Sequence, residues 1–484
     1  MTESSSSSGI AGMGGAGGNG GSGGEPMGGN GGGCGAAYED CTTPIDDNCD
    51  GLTPTCSGEG LWAKTFGDAE WGDTAWVATD TPGNVFVATN ILGVSIDFGG
   101  GALMSQDTDI ALALLTPDGT HLWSKRFGDM GQQALRNMVD DRNGGVVLVG
   151  NFANSLDFGG GPLVAPQFEK HPFVARIDGA GKQVFSRSFS GSTDYDIRAV
   201  AVGSDGSIVI GGCGQDAVDL GVGTPPQAAW SAFVAHLSST GQTLWAKTFT
   251  SDGPLVCVEG IALDKLGNIA AAGLFDGTVD LGGASVTSAG GYDAFVMMFD
   301  ANGNAAFRKT AGSTEAQSVT NVHFDPAGDI VLTGTYQNSI DWGAGQHTTT
   351  ASTSTYVTKF DISGNAKWSK AFGAGGDLYP GASLVDPAGH ILLTGGFFGT
   401  LDFGDGTLTS KGDNDLFVAK LDGTGKLIWK KVAGDGVVQE GGSIAVDGAG
   451  HVFVGGRIWS AVDFGTGAVS SHGKDDALVA KLKP

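Results

Sequence analysis

The chain contains no apolar run of about 18 residues, the length a membrane-crossing helix requires, and this excludes a helical span. Helical periodicity is missing as well. Apolar residues come in runs of four to eight between turn signals, the pattern of strands. Basic residues are scarce, with 26 Lys and Arg against 52 Asp and Glu, for a formal net charge of -26. Such a surface repels phosphate backbones and argues against nucleic acid as a partner. No C-x-x-C or H-E-x-x-H occurs. G-x-S-x-G and G-x-G-x-x-G occur only in a Gly-rich leader, where no strand or helix gives them meaning. No Ser/His/Asp set can be nominated from spacing. The first residues, MTESSSSSGIAGMGG, have neither a basic region nor an apolar one, so no signal peptide is visible.

What the chain does have is glycine, 86 of 484 residues, far above the usual share of about 7%. Residues 1–33 are mostly Gly and Ser and cannot bury a core, so they read as a disordered tether. Residues 34–58 form a small Cys-rich module with Cys34, Cys41, Cys49 and Cys56; Cys213 and Cys257 bring the total to six. An even count with a local cluster suits an oxidising compartment. The expected location is therefore extracellular or on the cell surface, with the visible start truncated or trimmed. The four leader cysteines are expected to pair among themselves, and Cys213 with Cys257. Asp46, Asn48, Asp50 and Gly51 match the first half of a D-x-[DN]-x-[DN]-G calcium loop, although Ser57 stands where the closing carboxylate belongs. Calcium is the cation this loop would take, set against a disulfide-pinned acidic loop. No cofactor is required for the rest of the chain to fold.

From residue 59 to 484 three signatures recur seven times. An aromatic stands two residues before a base at Trp62–Lys64, Trp123–Lys125, Phe185–Arg187, Trp245–Lys247, Phe307–Lys309, Trp368–Lys370 and Trp429–Lys431. Asp-apolar-Gly begins at Asp97, Asp157, Asp219, Asp280, Asp341, Asp402 and Asp463, with spacings of 60, 62, 61, 61, 61 and 61. A Gly-bearing turn precedes an apolar run, as in Asp386-Pro387-Ala388-Gly389. In the sixth copy the expected strands are 382–386 (a), 390–395 (b), 415–421 (c) and 427–432 (d). Four short antiparallel strands repeated seven times specify an all-β, seven-bladed β-propeller. The first strand, Leu61–Phe66, matches strand d, and the chain ends on strand c. The N-terminal strand is thus expected to complete the last blade.

Units such as Ser443–Gly456, SIAVDGAGHVFVGG, resemble the bacterial SBBP (seven-bladed β-propeller) repeat over about 420 residues. The leader also resembles the metal-binding D-x-D-C-D-G motif of bacterial surface proteins. The resemblance implies a secreted or cell-surface protein, often a lipoprotein, usually without assigned activity. Cys34 is not preceded by an apolar lipobox, which argues against lipidation there.

The strand-d aromatics are expected to pack between blades, and the base beside each to block edge-to-edge association. The seven aspartates could form a cation crown, but hydrogen bonding to turn amides is the expected role. His390 and His451 are expected on the surface. Inner strands carry small residues such as Ala262, Ala382 and Ala445, without clustered His, Glu or Arg, so no catalytic residue is nominated. The expected function is a non-enzymatic, monomeric binding scaffold for an extracellular protein or glycan. The alternatives are a structural envelope component and a hydrolase or lyase with a site in the central channel. The segment from blade 2 to blade 3 breaks the rhythm, with the insertion Gln167–His171 and with Trp230 and Cys213 nearby.

Overall fold

A computed structural model describes residues 56–484, apart from 168, 192–194, 216–217, 224–229, 284 and 374. The calcium candidates Asp46, Asn48 and Asp50, and Cys34, Cys41 and Cys49, lie outside the described residues.

Seven antiparallel blades of four strands form a ring; six are separate four-stranded sheets, and that of blade 3 is extended to six strands by the hairpin Thr278–Asp280 and Ser285–Thr287. Blade 1 is Trp76–Thr79, Val85–Ile91, Asp109–Leu115 and His121–Phe127, lettered a to d outward. Blade 2 is Gln133–Asp140, Val146–Ala153, Lys170–Ile177 and Gln183–Ser188. Blade 3 is Asp196–Val202, Ile208–Gly214, Trp230–Leu237 and Thr243–Ser251. Blade 4 is Val256–Leu263, Ile269–Phe275, Asp293–Phe299 and Ala305–Ala311. Blade 5 is Gln317–Phe324, Ile330–Tyr336, Ser354–Phe360 and Ala366–Phe372. Blade 6 is Asp377–Val385, Ile391–Phe398, Asp415–Leu421 and Leu427–Ala433. Blade 7 takes Gln439–Val446, Val452–Ile458 and Asp476–Leu482 from the end of the chain and Gly60–Phe66 from its beginning. The closing pair runs antiparallel from Gly60 opposite Leu482 to Phe66 opposite Ala477, as the register of the repeats requires.

The core lies between blades rather than within them. Seven hydrophobic clusters each span two neighbours, as Phe86 and Leu112 of blade 1 do with Leu148 and Phe173 of blade 2. Strands b and c are buried on both faces, which is why they read as continuous apolar runs; every residue of Val85–Ile91 is buried.

The strand-d signature fastens one blade to the next. Trp62 Nε1 donates to Pro117 O at 3.0 Å, and Lys64 Nζ donates to Gly119 O, both in the c–d turn of blade 1. Trp123 and Lys125 treat Gly179 and Gly181 of blade 2 in the same way, and Arg187 donates to Gly241 O of blade 3 at 2.8 Å. The expectation that these bases guard an open edge is therefore corrected. Their reach takes the ammonium past the edge to a turn carbonyl one blade on.

Each Asp of the Asp-apolar-Gly units accepts from its own turn. Asp402 Oδ1 receives Gly404 N and Gly406 N at 2.7 and 3.2 Å, and Asp97, Asp157 and Asp463 repeat this. The histidine expectation needs correction. His390 is buried, with Nδ1 2.9 Å from Asp386 Oδ2, because the a–b turn aspartate gathers turn amides and the side chain four residues on. Half-buried His451 pairs likewise with Asp447.

Candidate functional site

Strand order gives the ring two unlike faces. The a–b and c–d turns share one, the turn face; the b–c and d–a connections share the other, the loop face. Repetition governs the turn face. The c–d turns of blades 2 and 6 close identically, Gly181 N to Asp178 O and Gly425 N to Asp422 O, both at 2.8 Å. The exposed aromatics Trp71, Tyr292, Tyr379, Phe398 and Trp459 all lie on the loop face.

The central channel, about 530 Å³, is walled by the a strands, including Ala262, Ala382 and Ala445 as expected. In blades 2 to 7 strand a carries a β-bulge at one equivalent position near the loop face. The extra residues are Arg136, Arg198, Glu259, Thr320, Gly381 and Gly442. A bulge re-aims its side chain and restarts the alternation. The expectation of a channel without clustered charge is thereby corrected: Arg136, Arg198 and Glu259 line it side by side. Arg198 Nη1 lies 2.6 Å from Glu259 Oε1. Burial pushes the Glu259 carboxyl above its ordinary range, against the pull of Arg198. On the opposite wall a Cβ on Gly381 would stand 1.8 Å from Gly441 O of the next blade, so glycine is required there.

His323, on the channel wall, places Nε2 2.9 Å from Ser383 Oγ of blade 6. Ser383 is buried and also shares a 2.9 Å hydrogen bond with Thr333 Oγ1. The pair is a bridge between blades 5 and 6 rather than an exposed nucleophile and base. Burial lowers the imidazole pKa to about 4, so it is neutral at pH 7.

Where the repeat rhythm breaks, the loop face has a cavity of about 500 Å³ against blades 1 to 3. Arg136 borders both it and the channel. Trp230 opens strand c of blade 3 on its wall. His171 is buried nearby in blade 2, with Nε2 2.9 Å from Glu169 Oε2. Cys213 and Cys257 are joined in a disulfide that ties strand b of blade 3 to strand a of blade 4 near the same face. Both lie inside their strands.

The chain matches no family model and no curated protein. Among solved structures it is similar to a protein of unknown function from Dyadobacter fermentans DSM 18053, at 12% identity and a TM-score of 0.38 over 88% of this chain and 98% of that one. It is similar to Sqt1 from Chaetomium thermophilum at 10% identity and a TM-score of 0.41, over 88% and 99%. A puromycin hydrolase matches at 12% identity and a TM-score of 0.41, over 81% of this chain and 51% of that one. Similarity at this level does not extend to activity.

Proposed function

We propose that this chain is a non-enzymatic, secreted or cell-surface recognition propeller of the SBBP-repeat kind, binding an extracellular protein or glycan across its loop face. One observation carries the reading: departures from sevenfold sameness gather on that face, where the bulge residues, the exposed aromatics and the 500 Å³ cavity lie. Irregular loops on a rigid repeated scaffold are where recognition is usually built. The test is a glycan and surface-protein screen on the full chain. Joint replacement of Trp71 and Trp459 by Ala, or Arg136→Met, should abolish capture, while Asp178→Ala on the turn face should leave it intact. Capture insensitive to every loop-face change overturns the reading.

The rival is a hydrolase or lyase working in the channel, and Glu259 favours it, as a carboxyl whose pKa is raised by burial suits a general acid. Turnover on a panel of glycosidase, lyase, esterase and phosphatase substrates, abolished by Glu259→Gln, would establish that reading instead.

A further inference from the structure

We propose that the loop-face cavity of blades 1 to 3 is a subsite for a sugar acid, a pyranose bearing a carboxylate. The inference rests on the recognition reading above and names the ligand for one part of that face.

The cavity lining carries it. Asn151, on strand b of blade 2, is 7% exposed and lines the cavity. Its Nδ2 donates to Asp196 Oδ1, but its Oδ1 is buried without a partner. An orphaned buried acceptor is costly unless a ligand brings a donor. Arg136 and Lys170 bring two cations to the same wall, and Asp196 one carboxylate, 3.5 Å from the guanidinium. With Asp196 already engaged by Asn151 and Arg136, the cavity lining is left, among the described residues, one positive charge in excess, in a chain of net charge -26. Trp230 adds an indole wall, backed by the hydrogen bond between Tyr195 and Ser231.

Each feature selects a part of the ligand. The guanidinium and ammonium call for an anion, and a guanidinium prefers the planar, two-oxygen form of a carboxylate. The Asn151 acceptor calls for an O–H donor, which a bare carboxylate or sulfate group lacks at neutral pH. The indole calls for an apolar face beside those polar groups. A pyranose acid has all three, and the volume is within the range of small-molecule sites.

The test is calorimetry of the full chain with D-glucuronate, D-galacturonate and tetragalacturonate, with glucose and galactose as uncharged counterparts. The acids should bind and the neutral sugars should not. Arg136→Met and, separately, Lys170→Gln at an exposed site should each weaken binding tenfold or more. Tetragalacturonate binding more tightly than the monomer assigns the site to a polysaccharide chain; equal affinity assigns it to a single residue. Absence of acid binding, equal binding of the neutral sugars, or indifference to both substitutions overturns the proposal. If that happens while Trp71 and Trp459 still govern capture in the screen, the loop-face reading stands and only the sugar-acid subsite falls.

Discussion

Gly58 lies against the indole of Trp429, so closely that a Cβ on Gly58 would stand 2.4 Å from Trp429 Cε3. Gly119, Gly181, Gly241, Gly303, Gly364 and Gly425 hold the same relation to Trp62, Trp123, Phe185, Trp245, Phe307 and Trp368, each a c–d turn glycine under the aromatic of the preceding blade. Blade 7 has no c–d turn because the chain is cut there, and Gly58 takes the missing place. Its φ of 58° also demands glycine. Gly58→Val should destabilise the ring by about 1–3 kcal/mol through overpacking and backbone strain, read by urea denaturation. A chain beginning at residue 70 should melt well below one beginning at residue 56, since strand c of blade 7 would lose its partner. Equal melting temperatures would overturn the closure.

The Cys213–Cys257 disulfide closes a loop across a sequence separation of 44. Replacing both cysteines by Ala should cost about 2–4 kcal/mol. Peptide mapping without reductant should recover the two half-cystines in one linked fragment; recovery of both as alkylated thiols contradicts the pairing.

Asp402→Ala removes an acceptor from two turn amides. Stability should fall by about 1–2 kcal/mol, with no change in the heat of a calcium titration. A loss of calcium binding would revive the cation crown.

His323 predicts a pH dependence whose sign can be worked out. Burial lowers its folded pKa to about 4, against about 6.5 unfolded. Between those values the unfolded chain binds more protons, so stability is complete above pH 6.5 and is lost as pH falls towards 4, on the order of 3 kcal/mol in all. His323→Gln should flatten the unfolding free energy across that window, measured by urea denaturation at pH 7, 5.5 and 4.5. An unchanged slope would show that the imidazole does not carry the effect.

Much of the architecture was legible because it is written locally and repeated. The Asp-apolar-Gly spacing marks the blades, and Leu61–Phe66 matching strand d announces the closure. The sequence pattern places strand a of blade 6 at 382–386, but the strand begins at Asp377. The bulge between Pro380 and Ala382 breaks the period-two pattern that would have revealed its first half. The equivalent bulges in blades 3 and 4 hid the charged channel, since simple alternation puts Ala262 inward and gives no reason to bring Glu259 beside Arg198. The tasks of Lys64 and Trp62 were hidden differently. Their partners Gly119 and Pro117 lie 55 residues downstream, and only the curvature of the ring makes them neighbours.

The closing strand also sets an orientation. Gly60–Phe66 runs outward from the turn face, so the chain passes into the ring on that side, at Gly58 beneath Trp429. A tether fused at Ser57 would therefore hold the propeller from below, like a dish on its stem. Arg136, Trp71 and the cavity of blades 1 to 3 would then face away from that tether, on the opposite side of the ring.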